Sequence, residues 1–237
     1  MMSNYGLLFF IIGSVMALSI VLKKLTIPAA LTGGVLGLCV YAGAGFTGIA
    51  MMGAFFILAT AATSFKKAWK EKVRLSTRRD AMRNAAQVLA NGGMAALLGA
   101  GALFFPQKVA AIQVLMAASL AAATADTVSS ELGVVFGRRF YNIRTLQKDT
   151  RGLDGVVSWE GTFLGIAGSA IIALIYAIGF GLGKAFIIIL IAGTIGNIAD
   201  SFLGATLERT QLLTNNAVNF FNTLIGALAA FLLLTLF

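Results

Sequence analysis

Long apolar runs recur along this sequence. Residues 5–22, 28–45, 48–65, 84–105, 109–136, 158–180, 184–206 and 215–236 are near-continuous stretches of apolar and small residues. About 20 such residues span the hydrocarbon core of a bilayer. Inside that core only helices and closed barrels satisfy every backbone polar group. A barrel needs short alternating strands, and these runs do not alternate. The sequence therefore predicts an all-α polytopic membrane protein of eight helices. It would form a single membrane-embedded domain over 1–237, with three peripheral helices over 1–65, a basic segment over 66–83 and a five-helix part over 84–237. Composition agrees: 59% of residues are hydrophobic and 11% charged, against about 45–50% and about 25% in soluble domains. The first run lacks the basic flank of a secretory signal and is read as a retained helix, with no transit peptide.

The chain has no histidine and a single cysteine, Cys39. Ser-His-Asp triads, His-ligated zinc and intrachain disulfides are excluded. Any chemistry must use carboxylates, hydroxyls, amides and cations.

With eight helices, 16 of the 18 basic residues fall in alternate loops, and only Lys108 and Lys184 fall on the other side. The positive-inside rule then makes the basic side cytoplasmic and puts both termini outside. The expected location is an inner (cytoplasmic) membrane of prokaryotic type. All nine acidic residues, Glu71, Asp80, Asp126, Glu131, Asp149, Asp154, Glu160, Asp200 and Glu208, fall on that same side or at helix ends facing it. Orientation does not require this, because acidic residues contribute little to it.

Polar stripes explain the gathering. Asp126, Ser130, Gly133 and Gly137 follow i, i+4, i+7, i+11 on the fifth helix, and Asn197, Asp200 or Ser201, Gly204 and Glu208 repeat that spacing on the seventh. Such spacing places them on one face of each helix. Arg83, Gln87 and Asn91 open the fourth helix, Ser158 and Glu160 the sixth, and Asn215, Asn219 and Asn222 the eighth. Gly161, Gly165 and Gly168 would let the sixth helix pack closely. A carboxylate inside a membrane helix is costly unless it faces a cavity or a cation. Asp126 and Asp200 both lie in apolar stretches and begin the echoing triplets "ADT" and "ADS". Glu131 is five residues beyond Asp126, about 140° around a regular helix. It either joins Asp126 or faces elsewhere.

Paired Asp with neighbouring Glu, hydroxyls and amides form a hard-oxygen setting. It suits Mg²⁺, which binds through one or two carboxylates plus substrate phosphates. The metal candidates are Asp126, Glu131 and Asp200. The loop before the sixth helix supplies cations, Lys148 and Arg151 among them. Cations beside carboxylates suit phosphoryl transfer. Ser158 sits where amide groups at a helix start can donate to phosphate oxygens. No "GxxxxGK[ST]" and no "HRD" with "DFG" is present, so neither a P-loop enzyme nor a protein kinase is indicated.

The blocks "RRDAMRNAAQVLANGGMAALL", "AATADTVSSELG", "TRGLDGVVSWEGTFLGIAGS", "ADSFLGATLER" and "NNAVNFFNTLIGA" resemble the phytyl-phosphate kinase family of the vitamin E (tocopherol) pathway. That family includes the transmembrane protein 19 group. More distantly, Asp-x₆-Gly followed by a basic loop and "S-x-E-G" is similar to CTP-dependent dolichol and phytol kinases and CDP-diacylglycerol synthase.

The resemblance implies a Mg²⁺-dependent kinase carrying phosphate from a nucleoside triphosphate, CTP, to an isoprenyl monophosphate such as phytyl or geranylgeranyl phosphate. By position it assigns Asp126, Ser130 and Glu131 to the acidic block of the fifth helix. Arg151, Asp154, Ser158, Glu160 and Gly161 fall on the loop block. Asn197, Asp200 and Glu208 match the seventh helix, Asn215, Asn216 and Asn219 the eighth, and Arg83, Gln87 and Asn91 the fourth. Leu153 departs from the "RGT" form of the loop. Asp126 and Asp200 are expected to hold the metal, Lys148 and Arg151 to neutralise phosphate charge, and the asparagines to position phosphate. Partners would be the nucleotide, a prenyl monophosphate lipid and the membrane, with no nucleic acid; a homo-oligomer is compatible with the sequence. Two rivals stand beside this reading: a cytidylyltransferase forming a CDP-lipid from the same groups, and a transporter or lipid-handling protein.

Overall fold

A computed structural model describes residues 2–73 and 82–236, apart from the side chains of residues 2 and 3. Arg74, Arg78, Arg79 and Asp80 of the basic segment lie outside the described residues. The elements run α1 (Met2–Val21), α2 (Ile27–Ser64), α3 (Lys67–Val73), α4 (Ala85–Gly101), a 3₁₀ turn (Pro106–Lys108), α5 (Val109–Phe136), β1 (Tyr141–Asn142), β2 (Val156–Val157), α6 (Trp159–Phe180), α7 (Lys184–Leu203), a π turn (Gly204–Glu208) and α8 (Asn215–Leu236). Among the described residues, six helices are long and apolar enough to cross a membrane.

One of the six, α2, does the work of two. A straight helix of 38 residues would run about 57 Å at 1.5 Å per residue. Yet Lys24 Nζ, just before α2, donates to Ser64 Oγ at its last residue over 3.0 Å. The chain doubles back at Gly45, whose φ of 58° and ψ of −147° leave the helical region. Glycine adopts that backbone without a Cβ penalty. The two antiparallel arms match the expected second and third helices. With α4, which at 17 residues ends short of the expected 105, the bundle holds the eight expected helices.

At its centre stands α5, whose residues from Met116 to Ala125 are buried without a break. A helix apolar all round belongs in the middle of a bundle, and its alanines let neighbours approach. On α6, Gly161 and Gly165 fulfil the packing expectation: a Cβ on Gly165 would come within 3.0 Å of Ala125 O, and one on Gly161 within 3.0 Å of Gly133 Cα. The second arm of α2 is less peripheral than expected. Met51 joins the main core, and Phe55 and Ala59 cluster with Ala123 of α5. Among the described helices, α1 stays outside, mainly against α2.

The segment α3, expected only as part of a basic loop, docks onto the bundle. Lys70 is buried and donates to Ala62 O at 2.8 Å and Thr63 O at 3.0 Å. These carbonyls end α2 and have no helical partner of their own.

Candidate functional site

Every polar stripe ends at one end of the bundle, and there the structure opens a cleft between α5, α6, α7 and α8. Its open space is ≈ 770 Å³. Asp126 and Ser130 line it from α5, Asn197 and Asp200 from α7, Glu208 from the π turn, and Asn215 and Asn219 from α8. Asp154 and Ser158 come from the loop and the start of α6. Four carboxylates thus meet in one cleft. Asp200 has Asp126 and Glu208 as charged neighbours, with the Asn222 side chain beside it. Its Oδ2 is buried and has no hydrogen-bond partner, a costly state for a carboxylate oxygen.

The π turn explains how Glu208 reaches the site. A wider turn at the end of α7 carries the chain inward over Gly204–Glu208, a distortion frequent at functional sites. Over the cleft lies the loop 137–158, folded on the short β1–β2 pair. Gly155 seats it: its φ is +70°, and a Cβ there would fall on Ala205. Asn142 braces the loop from within, accepting from Arg144 N at 2.9 Å and donating to Asp149 Oδ2 at 3.1 Å. Arg209 clamps it from the α7–α8 link, donating to Asp154 O at 2.6 Å and Asp149 Oδ2 at 2.9 Å. The Thr150 amide, then Asn142 and Arg209, hold the Asp149 carboxyl below the usual range despite some desolvation.

Several expected residues stand elsewhere. Glu131 faces away from the cleft. It is fully buried and pairs with Lys70 Nζ at 2.5 Å, the outcome its five-residue offset allowed. Expected as a metal ligand, it neutralises a buried lysine instead. Arg151, expected to meet phosphate, donates to Gly137 O at 2.7 Å, with its guanidinium 4.5 Å from the Phe140 ring and 5.6 Å from that of Trp69. Those contacts tie the loop to α3. Lys148 is exposed on the loop and does not line the cleft, and neither do Glu160 and Asn216. Arg83, Gln87 and Asn91 line a separate, apolar cleft between α1, α2 and α4. Ser158 Oγ takes the Gly161 amide at 3.1 Å as the cap of α6, so that amide is already satisfied.

The described residues contain no group of three or more Asp, Glu, Cys or His able to hold a metal unaided. A pair of carboxylates is still what Mg²⁺ takes when substrate phosphates complete its shell. The unpartnered Asp200 Oδ2 beside Asp126 fits that role.

The model of the family described as integral membrane protein DUF92 matches residues 10–227. The chain belongs to the DUF92 family of integral membrane proteins. An uncharacterized membrane protein of Synechocystis sp. is 33% identical over 199 residues, covering 83% of this chain and 77% of that protein. A second, from Methanocaldococcus jannaschii, is 33% identical over 80% of this chain and 77% of its own. The chloroplastic protein VTE6 of Arabidopsis thaliana is 29% identical over 96% of this chain and 69% of its own. No solved structure matches.

Two residues of this DUF92 chain bear on the site beyond those the resemblance assigned to it. Asn222 follows the asparagine stripe of α8 one turn below Asn219, and the spacing already pointed to it. Arg209 gave no such signal: it was counted among the cations read as topology.

Proposed function

We propose that the protein is a membrane phosphotransferase that moves a phosphate from a nucleoside triphosphate, CTP, to an isoprenyl monophosphate such as phytyl or geranylgeranyl phosphate. A Pγ–O bond of the nucleotide breaks, a phosphate oxygen of the lipid bonds to the transferred phosphorus, and the nucleoside diphosphate leaves. The observation that carries the reading is the Asp126–Asp200 pair, with its unpartnered Asp200 Oδ2, in a polar cleft at the end of the bundle. The similarity to the phytyl-phosphate kinase family supports it, as does the match to VTE6 along nearly the whole chain.

Asp126 and Asp200 would hold Mg²⁺. When bound, the metal would neutralise charge on the triphosphate oxygens. Ser130, Asn197, Asn215 and Asn219 orient phosphate oxygens and nucleotide by hydrogen bonds. The loop clamped by Arg209 keeps water from the cleft. The acceptor is already a phosphate anion, so no strong base is needed, and the absence of histidine is no handicap. By the positive-inside rule this end of the bundle faces the cytoplasm, where nucleotides are.

The test is to incubate the purified protein with CTP, Mg²⁺ and prenyl monophosphates and identify the products. Prenyl diphosphate with CDP supports the kinase. CDP-lipid with pyrophosphate would replace it with a cytidylyltransferase, and no product with any nucleotide would sink both.

A further inference from the structure

The second cleft lies away from the four carboxylates. It opens between α1, both arms of α2 and the start of α4, with ≈ 870 Å³ of open space. Ile12, Met16, Gly34, Met52, Phe56 and Val88 are among its walls. Its lining on α1 runs from Ile11 to Ser19, roughly 12 Å along the bundle at 1.5 Å per residue. The outer wall is α1, which packs mainly on α2 among the described helices, so one side of the cleft faces the bilayer.

Its chemistry is graded. The walls are apolar, and the polar groups gather where α4 begins. Arg83 is fixed there by its backbone: its amide donates to Lys24 O at 3.0 Å, and its carbonyl accepts from Thr26 N at 3.1 Å. Its guanidinium reaches toward Thr63 Oγ1 at 3.5 Å. Deeper on the same face of α4, Asn91 donates to Gln87 O at 2.9 Å, while its Oδ1 is buried with no hydrogen-bond partner. A long apolar slot closed at one end by a guanidinium and an unsatisfied amide oxygen suits one kind of guest. That guest has a flexible hydrocarbon chain, an anionic head for Arg83, and an O–H for Asn91. The monoanion of a phosphate monoester, the form that prevails below its second ionisation near pH 6, has both.

We propose that the cleft between α1, α2 and α4 is a binding site for a single-chain lipid monophosphate, with the chain among Met16, Met52 and Phe56 and the phosphate at Arg83 and Asn91. The site takes up its guest from the bilayer past α1. The choice of guest rests on the phosphotransfer reading, and binding measured without nucleotide tests the site apart from turnover.

The experiment uses the full chain in phosphatidylcholine nanodiscs and labelled geranylgeranyl monophosphate, with geranylgeraniol and inorganic phosphate as competitors. Saturable binding is expected, about tenfold weaker for the alcohol and absent for inorganic phosphate. Arg83→Gln should weaken the monophosphate about tenfold and leave the alcohol unchanged. Gly53→Leu and Gly33→Leu should weaken both lipids about tenfold, because a Cβ finds open space at Gly53 and only Val88 Cγ1 at 3.9 Å from Gly33, so each larger side chain fills the slot without a forced clash. Asp200→Asn should bind lipid like the wild type. The proposal fails if both cleft-filling variants bind normally, if alcohol and monophosphate bind alike, or if Asp200→Asn abolishes binding and so moves the lipid to the polar cleft. Cleft binding with no turnover under any condition would sink the phosphotransfer reading alone. Turnover that needs Asp200, with a lipid KM unmoved by either filled cleft, would sink this one alone.

Discussion

The two clefts begin at the same end of the bundle and share almost no chemistry. One gathers Asp126, Asp154, Asp200 and Glu208 over the ends of α5 to α8; the other is lined by aliphatic and aromatic side chains with Arg83 at its mouth. Packing explains part of the difference. The polar cleft sits on the tightly crossed α5–α6 pair, where Gly133 meets Gly161. The apolar cleft sits beside α1, the most loosely held helix. A tightly packed frame would suit the proposed fixing of phosphate oxygens. A loose wall would suit the proposed entry of a chain from the membrane. Nearly opposite Asp126 on α5, the buried Lys70–Glu131 pair lies on the side facing α3.

The comparison predicts a ranked series of effects. Asp200→Asn, and likewise Asp126→Asn, should lower turnover by about 10²–10³-fold or more, the scale of losing an aligned electrostatic group, while lipid retention stays at the wild-type level. Near-normal rates in both variants would show that the carboxylate pair is not the reacting centre.

An effect of similar size is expected at the buried Lys70–Glu131 pair. Glu131→Gln and Lys70→Met should each destabilise the detergent-solubilised protein by about 3–5 kcal/mol, because each breaks a buried ion pair by removing one partner. The double variant should cost less than their sum. Thermal unfolding decides this, and additive losses would mean that the two residues act separately.

Smaller still is Arg83→Gln, expected to raise the KM for the lipid about tenfold with little change in kcat. An equal fall in kcat would instead join Arg83 to the reaction.

The weakest expected effect is at the loop clamp. Arg209→Gln should cost about 1 kcal/mol, since the pair with Asp149 is partly exposed and solvent screens it. The Asp149 pKa is lowered on folding. Its contribution is therefore present above the unfolded value of 3.8 and lost as pH falls through the folded value. Protease sensitivity of the loop should stay flat between pH 5 and pH 8 and rise only in stronger acid. A rise near pH 6 would point to another group.

Much of this architecture could be read from the residues. Runs of about 20 apolar residues located the helices, including both arms of α2, because the bilayer imposes that length whatever the packing. Asp126 and Asp200 were legible for a related reason: a carboxylate in an apolar helix needs a partner or a cavity, and helical spacing says which neighbours share its face. Loop residues lack such a period, so Lys148 and Arg151 could be placed only by resemblance. Arg151 turned out to lie against Phe140 and Trp69. Lys70 was hidden in a basic run, and its partner follows 61 residues later, a pairing that only the folded bundle creates. Arg83, Gln87 and Asn91 do share one face of α4, as their spacing required. Which neighbour that face meets depends on where α1 and α2 lie, and periodicity carries no such information.

The buried lysine of α3 also imposes an order of events. An ammonium cannot settle among helices before its carboxylate is there, because the uncompensated charge is too costly. As the chain is made, Lys70 emerges long before Glu131, so α3 must wait at the water interface while α4 and most of α5 are synthesised. Only then can it close over the last carbonyls of α2. The seating of α3 is thus a late step of assembly, and it marks chains in which the central helix has already reached its place.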